Sequence, residues 1–284
     1  MPIVLPKKVF IAMHRIGVTG ANSFVGGAIC AYLRERGYQV TAYSRTAIAS
    51  SDVEQEVFSL SDALPTSMYK QDCIVHAAHS YDIKDDSNVV FAKALAQLQG
   101  VQIIYISSIA ACAPITPTNY GQTKYAVEQI LQRHTIVRAG LVLGQGGLFA
   151  TMQSTLQKNK IVPCIGLGNQ NVYCIHISDL CAVVSACIVK KESQLIHAAY
   201  PQAVTYRALV QLIASPKRIV LVPVPKNLAV FGAHVANFFN LSKITRDNII
   251  GLSTNKSINT QHDYDAHGSA WLSPEEAVSQ AGKL

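Results

Sequence analysis

The chain has 284 residues, of which 49% are hydrophobic and 14% charged, so it can hold one large α/β domain, or a domain with a small lobe, around a core that needs no staples. Its net charge is +7, but no basic run exceeds two residues and aromatics do not interleave with the cations. That argues against a nucleic-acid surface and fits anionic small ligands such as nucleotide phosphates.

The seven cysteines form no CxxC pair, and most lie in apolar strand- or helix-like stretches, which suits free thiols in a reducing cytoplasm. No secretory signal is read, because Val9–Met13 is too short for an apolar signal core and lacks a cleavage site. Residues 1–12 read as an extension before the first strand, with Met13 as an alternative start. Prolines and lysines interrupt the most apolar stretch, Ile219 to Leu241, so no membrane span is expected, and no metal site.

His14–Val18 is short and β-branched and predicts a first strand. Thr19-Gly20-Ala21-Asn22-Ser23-Phe24-Val25-Gly26 follows, and then an apolar helical pattern from Ala28 to Arg34 that Gly37 stops. A glycine-bearing turn from a strand into a helix offers a tight bend at Gly20, close packing at Gly26 and the free N–H groups of a helix start. That combination predicts a dinucleotide phosphate site over Gly20, Asn22, Ser23, Phe24, Val25 and Gly26. Gln39–Tyr43 predicts a second strand ending at Ser44-Arg45. An NAD enzyme usually has a carboxylate at the end of this strand to take the ribose hydroxyls. A hydroxyl and a guanidinium suit a 2′-phosphate instead, so NADP(H) is favoured and NAD(H) kept as the alternative.

Asp72–Ala78 reads as a buried strand ending in small residues, with Ala77 and Ala78 beside the cofactor and His76 packed at the strand end. A helix is predicted over Asn88–Leu98, and a strand over Val101–Ile106 carrying Ser107 and Ser108 at its carboxyl end. Alternating strands and helices imply a parallel, doubly wound Rossmann-type sheet. Twelve residues past Ser108 comes Tyr120, with Lys124 one helical turn beyond it on the same face. A phenol is a poor base at neutral pH until a neighbouring ammonium lowers its pKa, so Ser108, Tyr120 and Lys124 are the expected catalytic residues.

These motifs resemble the short-chain dehydrogenase/reductase superfamily, and within it the extended or atypical-extended NAD-dependent epimerase/dehydratase family, from about His14 to the C-terminus. Residues 19–26 resemble its TGxxGxxG fingerprint with Ser23 in place of the middle glycine. Ile104–Ser108 is similar to its strand-five serine motif, which favours Ser108 over Ser107, and Cys112 stands where that motif has tyrosine. Thr135–Gly144 resembles the strand-six segment, with Gln145 replacing a proline. Ile161–Gln170 and Val172–Leu180 resemble a block in which a His and an Asp open a helix; there Asp179 caps or charges the helix start, and His176 is either a pocket or a structural residue.

The resemblance implies a Rossmann domain over residues 13–163, continued by 171–190, with 191–284 mainly a small C-terminal substrate lobe. In that lobe Thr205–Ile213 is an amphipathic helix, Leu228–Phe239 an apolar one suited to core or homodimer contact, and Ser273-Pro274 a helix start. It further implies a cytoplasmic oxidoreductase or epimerase acting on a keto or hydroxyl group, above all of a nucleotide-sugar. Lys124 would hold the cofactor ribose and tune Tyr120, and Ser108 would orient the substrate oxygen. The stretch from Ser108 to Tyr120 is shorter than in classical sugar-nucleotide epimerases, which implies a more open site, or a different or smaller substrate. Two further readings stay open: a relative that binds dinucleotide for structure or redox sensing without turnover, and a reductase of a steroid- or flavonoid-like alcohol or ketone.

Overall fold

The computed structural model describes residues 14–48, 53–82, 85–111, 118–224, 257–267 and 270–281. The expectations for residues 1–12, Cys112 and the Leu228–Phe239 helix lie outside these residues.

Seven strands form one parallel sheet: β1 (Arg15–Thr19), β2 (Gln39–Ser44), β3 (Glu54–Val57), β4 (Cys73–His76), β5 (Gln102–Ser108), β6 (Thr135–Ala139) and β11 (Leu195–Ala198). Their order across the sheet is β11-β6-β5-β4-β1-β2-β3. The doubly wound sheet is therefore as the sequence implied. The chain leaves β1 toward β2 on one side and returns to β4 on the other, so the order reverses beside β1. A crevice opens outside the carboxyl ends of the strands at such a reversal.

Helices cover both faces. On one lie α1 (Phe24–Glu35) and α5 (Ile177–Lys190), on the other α2 (Ser87–Leu95) and α3 (Asn119–Ile130). Helix α1 buries Gly26, Ile29, Cys30 and Leu33, the i, i+3, i+4, i+7 stripe of an amphipathic helix. These pack with Val184, Cys187 and Ile188 of α5. Phe91 and Leu95 of α2 meet Val127 and Leu131 on the opposite face. Strand β3 was not foreseen: Glu54, Gln55 and Glu56 carry no apolar alternation, because this edge strand is largely exposed.

A smaller lobe has its own core. Helices α4 (Gly147–Lys158), α6 (Tyr206–Ala214) and α8 (Pro274–Ala281) contribute Phe149, Leu156, Leu209, Ile213 and Val278. Three two-stranded pairs accompany them: β7 (Leu141–Leu143) with β10 (Cys174–His176), β8 (Ile161–Ile165) with β13 (Val220–Val224), and β9 (Asn171–Val172) with β12 (Val204–Thr205). Two pieces fall across the division read at residue 190. Strand β11 pairs with β6 and completes the large sheet, while α4 and β8 share the lobe's core. Ser273 and Glu276 form a reciprocal capping box at the start of α8, each side chain bonded to the other's backbone N–H.

Among the described residues no helix is long and apolar enough to cross a membrane, and no group of His, Cys, Asp or Glu side chains is placed to hold a metal ion. Six of the cysteines are buried free thiols.

Candidate active site

A cleft of about 840 Å³ runs along the carboxyl ends of β1, β2, β4 and β5 and under the lobe. Its floor at β1 is set by backbone proximity. Gly20 has φ +71°, and a Cβ there would lie 2.8 Å from the backbone of Ala78. A Cβ on Gly26 would come within 2.2 Å of the Gly20 carbonyl oxygen. Only hydrogen atoms fit at these two positions, so β1, β4 and the first turn of α1 close on one another. Ser23 is the N-cap of α1, and its hydroxyl accepts from the Gly26 N–H at 3.1 Å. The serine in place of the middle glycine thus contributes a cap. Gly20, Asn22, Ser23, Phe24 and Val25 line the cleft, whereas Gly26 lies behind them as a packing contact. A helix N-terminus with a glycine cradle at a sheet's reversal point fits a dinucleotide pyrophosphate. The Phe24 ring is enclosed from the other side, where a Cβ on Gly144 or Gly146 would meet it at 2.7 or 2.3 Å.

Ser44 and Arg45 border the same cleft at the end of β2. Ser44 is buried, and its hydroxyl donates to the Thr46 carbonyl at 2.7 Å. Its proton is therefore committed to the turn, and exposed Arg45 is the cation on this rim. Thr46, not singled out in the sequence, accepts from Asn22 Nδ2 at 2.9 Å and ties the β2 turn to the phosphate turn. Ala77 and Ala78 flank the cleft at β4. His76 behind them shares a 2.8 Å hydrogen bond with Thr19 and packs on Phe91 and Tyr105.

The three expected catalytic side chains converge. Successive residues of a strand point to opposite faces: both serines border the cleft, and the hydroxyl of buried Ser107 is committed to Glu128, to which it donates at 2.5 Å. Thr118 caps α3, accepting from the Gly121 N–H, and this places Tyr120 and Lys124 on the helix face toward β5. The Ser108 side chain neighbours the Tyr120 phenol and favours its ionised form, and both line the cleft. Lys124 is 3% exposed, donates to the Ile106 carbonyl at 2.8 Å and lies 5.8 Å from the centre of the Tyr120 ring.

Burial pushes the Tyr120 phenol well above its ordinary pKa, with nearby Tyr81 adding to the rise and Ser108 opposing it. Burial also lowers Lys124 to about 7, opposed by the Glu128 carboxylate. Glu128, itself 2% exposed, is held by Arg138 at 2.6 Å, and Arg138 reaches His197, whose imidazole pairs with Asp263 at 3.1 Å on α7 (Gln261–His267). This polar chain supports the floor under Lys124 and β5 without touching the cleft.

Two ring residues escaped the sequence reading. His79 stands edge-on to Tyr120 with centroids 4.9 Å apart, and Tyr81 lies nearly parallel to Tyr120 at 5.9 Å. They sit in a loop with no periodicity to mark them. At α5 the N-cap is His176, whose Nδ1 accepts from the Ser178 N–H. Asp179 lies in the first turn and accepts from the Leu272 N–H at 3.0 Å, so it anchors the C-terminal segment.

A doubly wound sheet with a capped glycine turn at its reversal point, and a serine, tyrosine and lysine beside it, defines the short-chain dehydrogenase/reductase class. The NAD dependent epimerase/dehydratase family model matches residues 16–200, and the chain belongs to that family. Among curated proteins none matches it in sequence. In fold it is similar to TunA, an NAD-dependent NDP-hexosamine 5,6-dehydratase of tunicamycin biosynthesis, with TM-score 0.73 and 15% identity over 94% of this chain and 96% of that one. A human epimerase family protein solved with NADPH gives TM-score 0.71 and 18% identity over 95% and 100% of the two chains. The UDP-glucose 4-epimerase of Thermotoga maritima, solved with UDP-glucose, gives 0.69 and 17% over 94% and 97%.

Proposed function

We propose that this protein binds NADP(H) in the cleft and moves a hydride to or from a carbonyl or carbinol carbon of a nucleotide-sugar, as an oxidoreductase or epimerase. The observation that carries the proposal is the convergence of Ser108, Tyr120 and buried Lys124 in one cleft with the phosphate cradle. The cofactor supplies the hydride donor or acceptor when bound. Ser108 holds the substrate oxygen, and Tyr120 gives or takes its proton. The phenol's high pKa makes it a proton donor as the site stands. Lys124, with a pKa of about 7, is poised to share its proton at physiological pH. Gly20, Asn22, Ser23, Phe24 and Val25 hold the pyrophosphate, and Arg45 meets the 2′-phosphate. The nucleotide-sugar class is supported by the family and by relatives solved with UDP-glucose. Buried free thiols support a reducing cytoplasm as the location.

Tyr120→Phe deletes one hydroxyl and keeps the ring. It is expected to leave NADPH affinity nearly unchanged while lowering turnover roughly 10²- to 10⁴-fold on any 4-keto sugar nucleotide the wild type reduces. Wild-type turnover in Tyr120→Phe rejects the mechanism. For the cofactor, fluorescence titration is expected to give NADPH several-fold tighter than NADH, with most of the preference lost in Arg45→Ala; equal affinities in the wild type reject it.

A further inference from the structure

Tyr81 is 71% exposed, yet it is a wall residue of the cleft and not a surface ornament. Its ring runs within 10° of the Tyr120 plane, with His79 edge-on to both at 4.8 and 4.9 Å. The three rings thus form one aromatic group on the cleft wall. An apolar ring left in water costs free energy unless something covers it.

The backbone under this ring is clamped. Asn88, 3% exposed at the start of α2, accepts from the Ser80 N–H and donates to the Ser80 carbonyl, both at 2.9 Å. Ser80 Oγ donates to Asp85 at 3.0 Å, and Asp85 accepts again from the Ser87 N–H and hydroxyl at 2.8 and 2.6 Å. A buried amide that satisfies both backbone groups of the residue before Tyr81 fixes the ring's position before any ligand arrives. Pre-organisation of this kind lowers the cost of binding. His79 contributes an uncharged edge: burial, with the charge of Lys124 adding, lowers its pKa to about 3.

We infer that His79 and Tyr81 form a binding shelf on which the hexose ring of the substrate sits, so that the shelf selects a pyranose and delivers its oxygen to Tyr120 and Ser108. A pyranose presents a face of C–H groups, which settles on the electron-rich face of an aromatic ring. Its rim hydroxyls then meet the polar groups of Ser80, Asp85, Ser87 and Ser108 that border the same cleft. A flat anionic or purely polar ligand has no use for an exposed tyrosine face in this position. The inference rests on the nucleotide-sugar reading above and names the residues that recognise the sugar.

The test is calorimetric titration of the NADPH-bound protein with UDP and with UDP-glucose. The wild type is expected to bind UDP-glucose more tightly than UDP. Tyr81→Phe keeps that difference, because the ring face remains. Tyr81→Ala and His79→Ala shrink it, the former by about 3- to 10-fold, with UDP affinity unchanged. Asn88→Ala, which frees the loop but deletes neither ring, shrinks it less. A wild type that gains nothing from the sugar, or a gain that survives intact in Tyr81→Ala, overturns the shelf. An affinity gain that depends on Tyr81, in a protein that transfers no hydride to or from UDP-glucose or any 4-keto sugar nucleotide, upholds the shelf and rejects the reaction proposed above.

Discussion

The two walls of the cleft are built in different ways. On the nucleotide side the parts touch backbone to backbone: Gly20 against Ala78, and Gly26 against the Gly20 carbonyl. On the lobe side, three two-stranded pairs and α4, α6 and α8 are joined through side chains such as Phe149, Leu209 and Val278. Backbone contact leaves no room for a larger residue, whereas side-chain packing relaxes around one that shrinks. The cofactor wall is therefore expected to fail sharply and the lobe wall by degrees.

Gly26→Ala is the strongest test of that contrast. Its new methyl group would lie 2.2 Å from the Gly20 carbonyl oxygen, so either α1 or the phosphate turn must move. The expected result is a loss of several kcal/mol in denaturant unfolding, with NADPH binding abolished in whatever protein remains folded. Unchanged affinity would show that the turn is softer than its contacts imply. Phe149→Ala is the counterpart on the lobe side. Phe149 is fully buried in the lobe's core, and truncating it is expected to cost about 3–5 kcal/mol. Phe24 of the phosphate turn meets Gly144 and Gly146 ahead of α4, and with that backbone contact kept, NADPH affinity measured below the melting range should stay within about twofold of wild type. An equal collapse of cofactor binding in both variants would erase the distinction between the walls.

The same contrast explains what could be read from the residues. Gly20, Gly26 and the strand-turn-helix pattern announce themselves because a local backbone constraint dictates residue type. Ser108 was preferred over Ser107, and strand alternation accounts for their opposite placement: Ser107 meets Glu128, Ser108 meets Tyr120. What could not be read depends on distant partners. Glu54–Val57 gives no strand signal, because pairing to β2 at an exposed edge asks nothing of its side chains. Glu128 looks like any solvent-facing helix acid until Arg138 and Ser107 close around it. His79 and Tyr81 lie in a loop whose geometry is set by Asn88. Asp179 was read as capping or charging α5; it does charge the first turn, but the cap is His176, and the bond from Asp179 to Leu272, 93 positions away, gave no local signal.

Lys124 stands between the two walls, and its effect on stability is smaller and depends on pH. Its pKa falls from 10.5 to about 7, chiefly by burial. A depressed lysine pKa means that the folded chain binds fewer protons than the unfolded one between those values. Stability therefore rises with pH across that window, and the cost of burying the ammonium is complete below about pH 7. Lys124→Met removes the charge and keeps an unbranched side chain, so the pH-dependent cost disappears. The Ile106 carbonyl loses its 2.8 Å donor in the variant, a penalty that does not vary with pH. The stability of Lys124→Met minus that of wild type is thus expected to be most favourable near pH 6 and to decline by roughly 4 kcal/mol on going to pH 10.5, in thermal or urea unfolding without cofactor. A difference that stays flat over this range would mean that the lysine is solvated in the folded protein. At neutral pH the same variant is expected to bind NADPH more weakly and to turn over poorly. A substitution that relieves the fold while disabling the site is the pattern expected where the chain keeps a costly buried charge for function and not for stability.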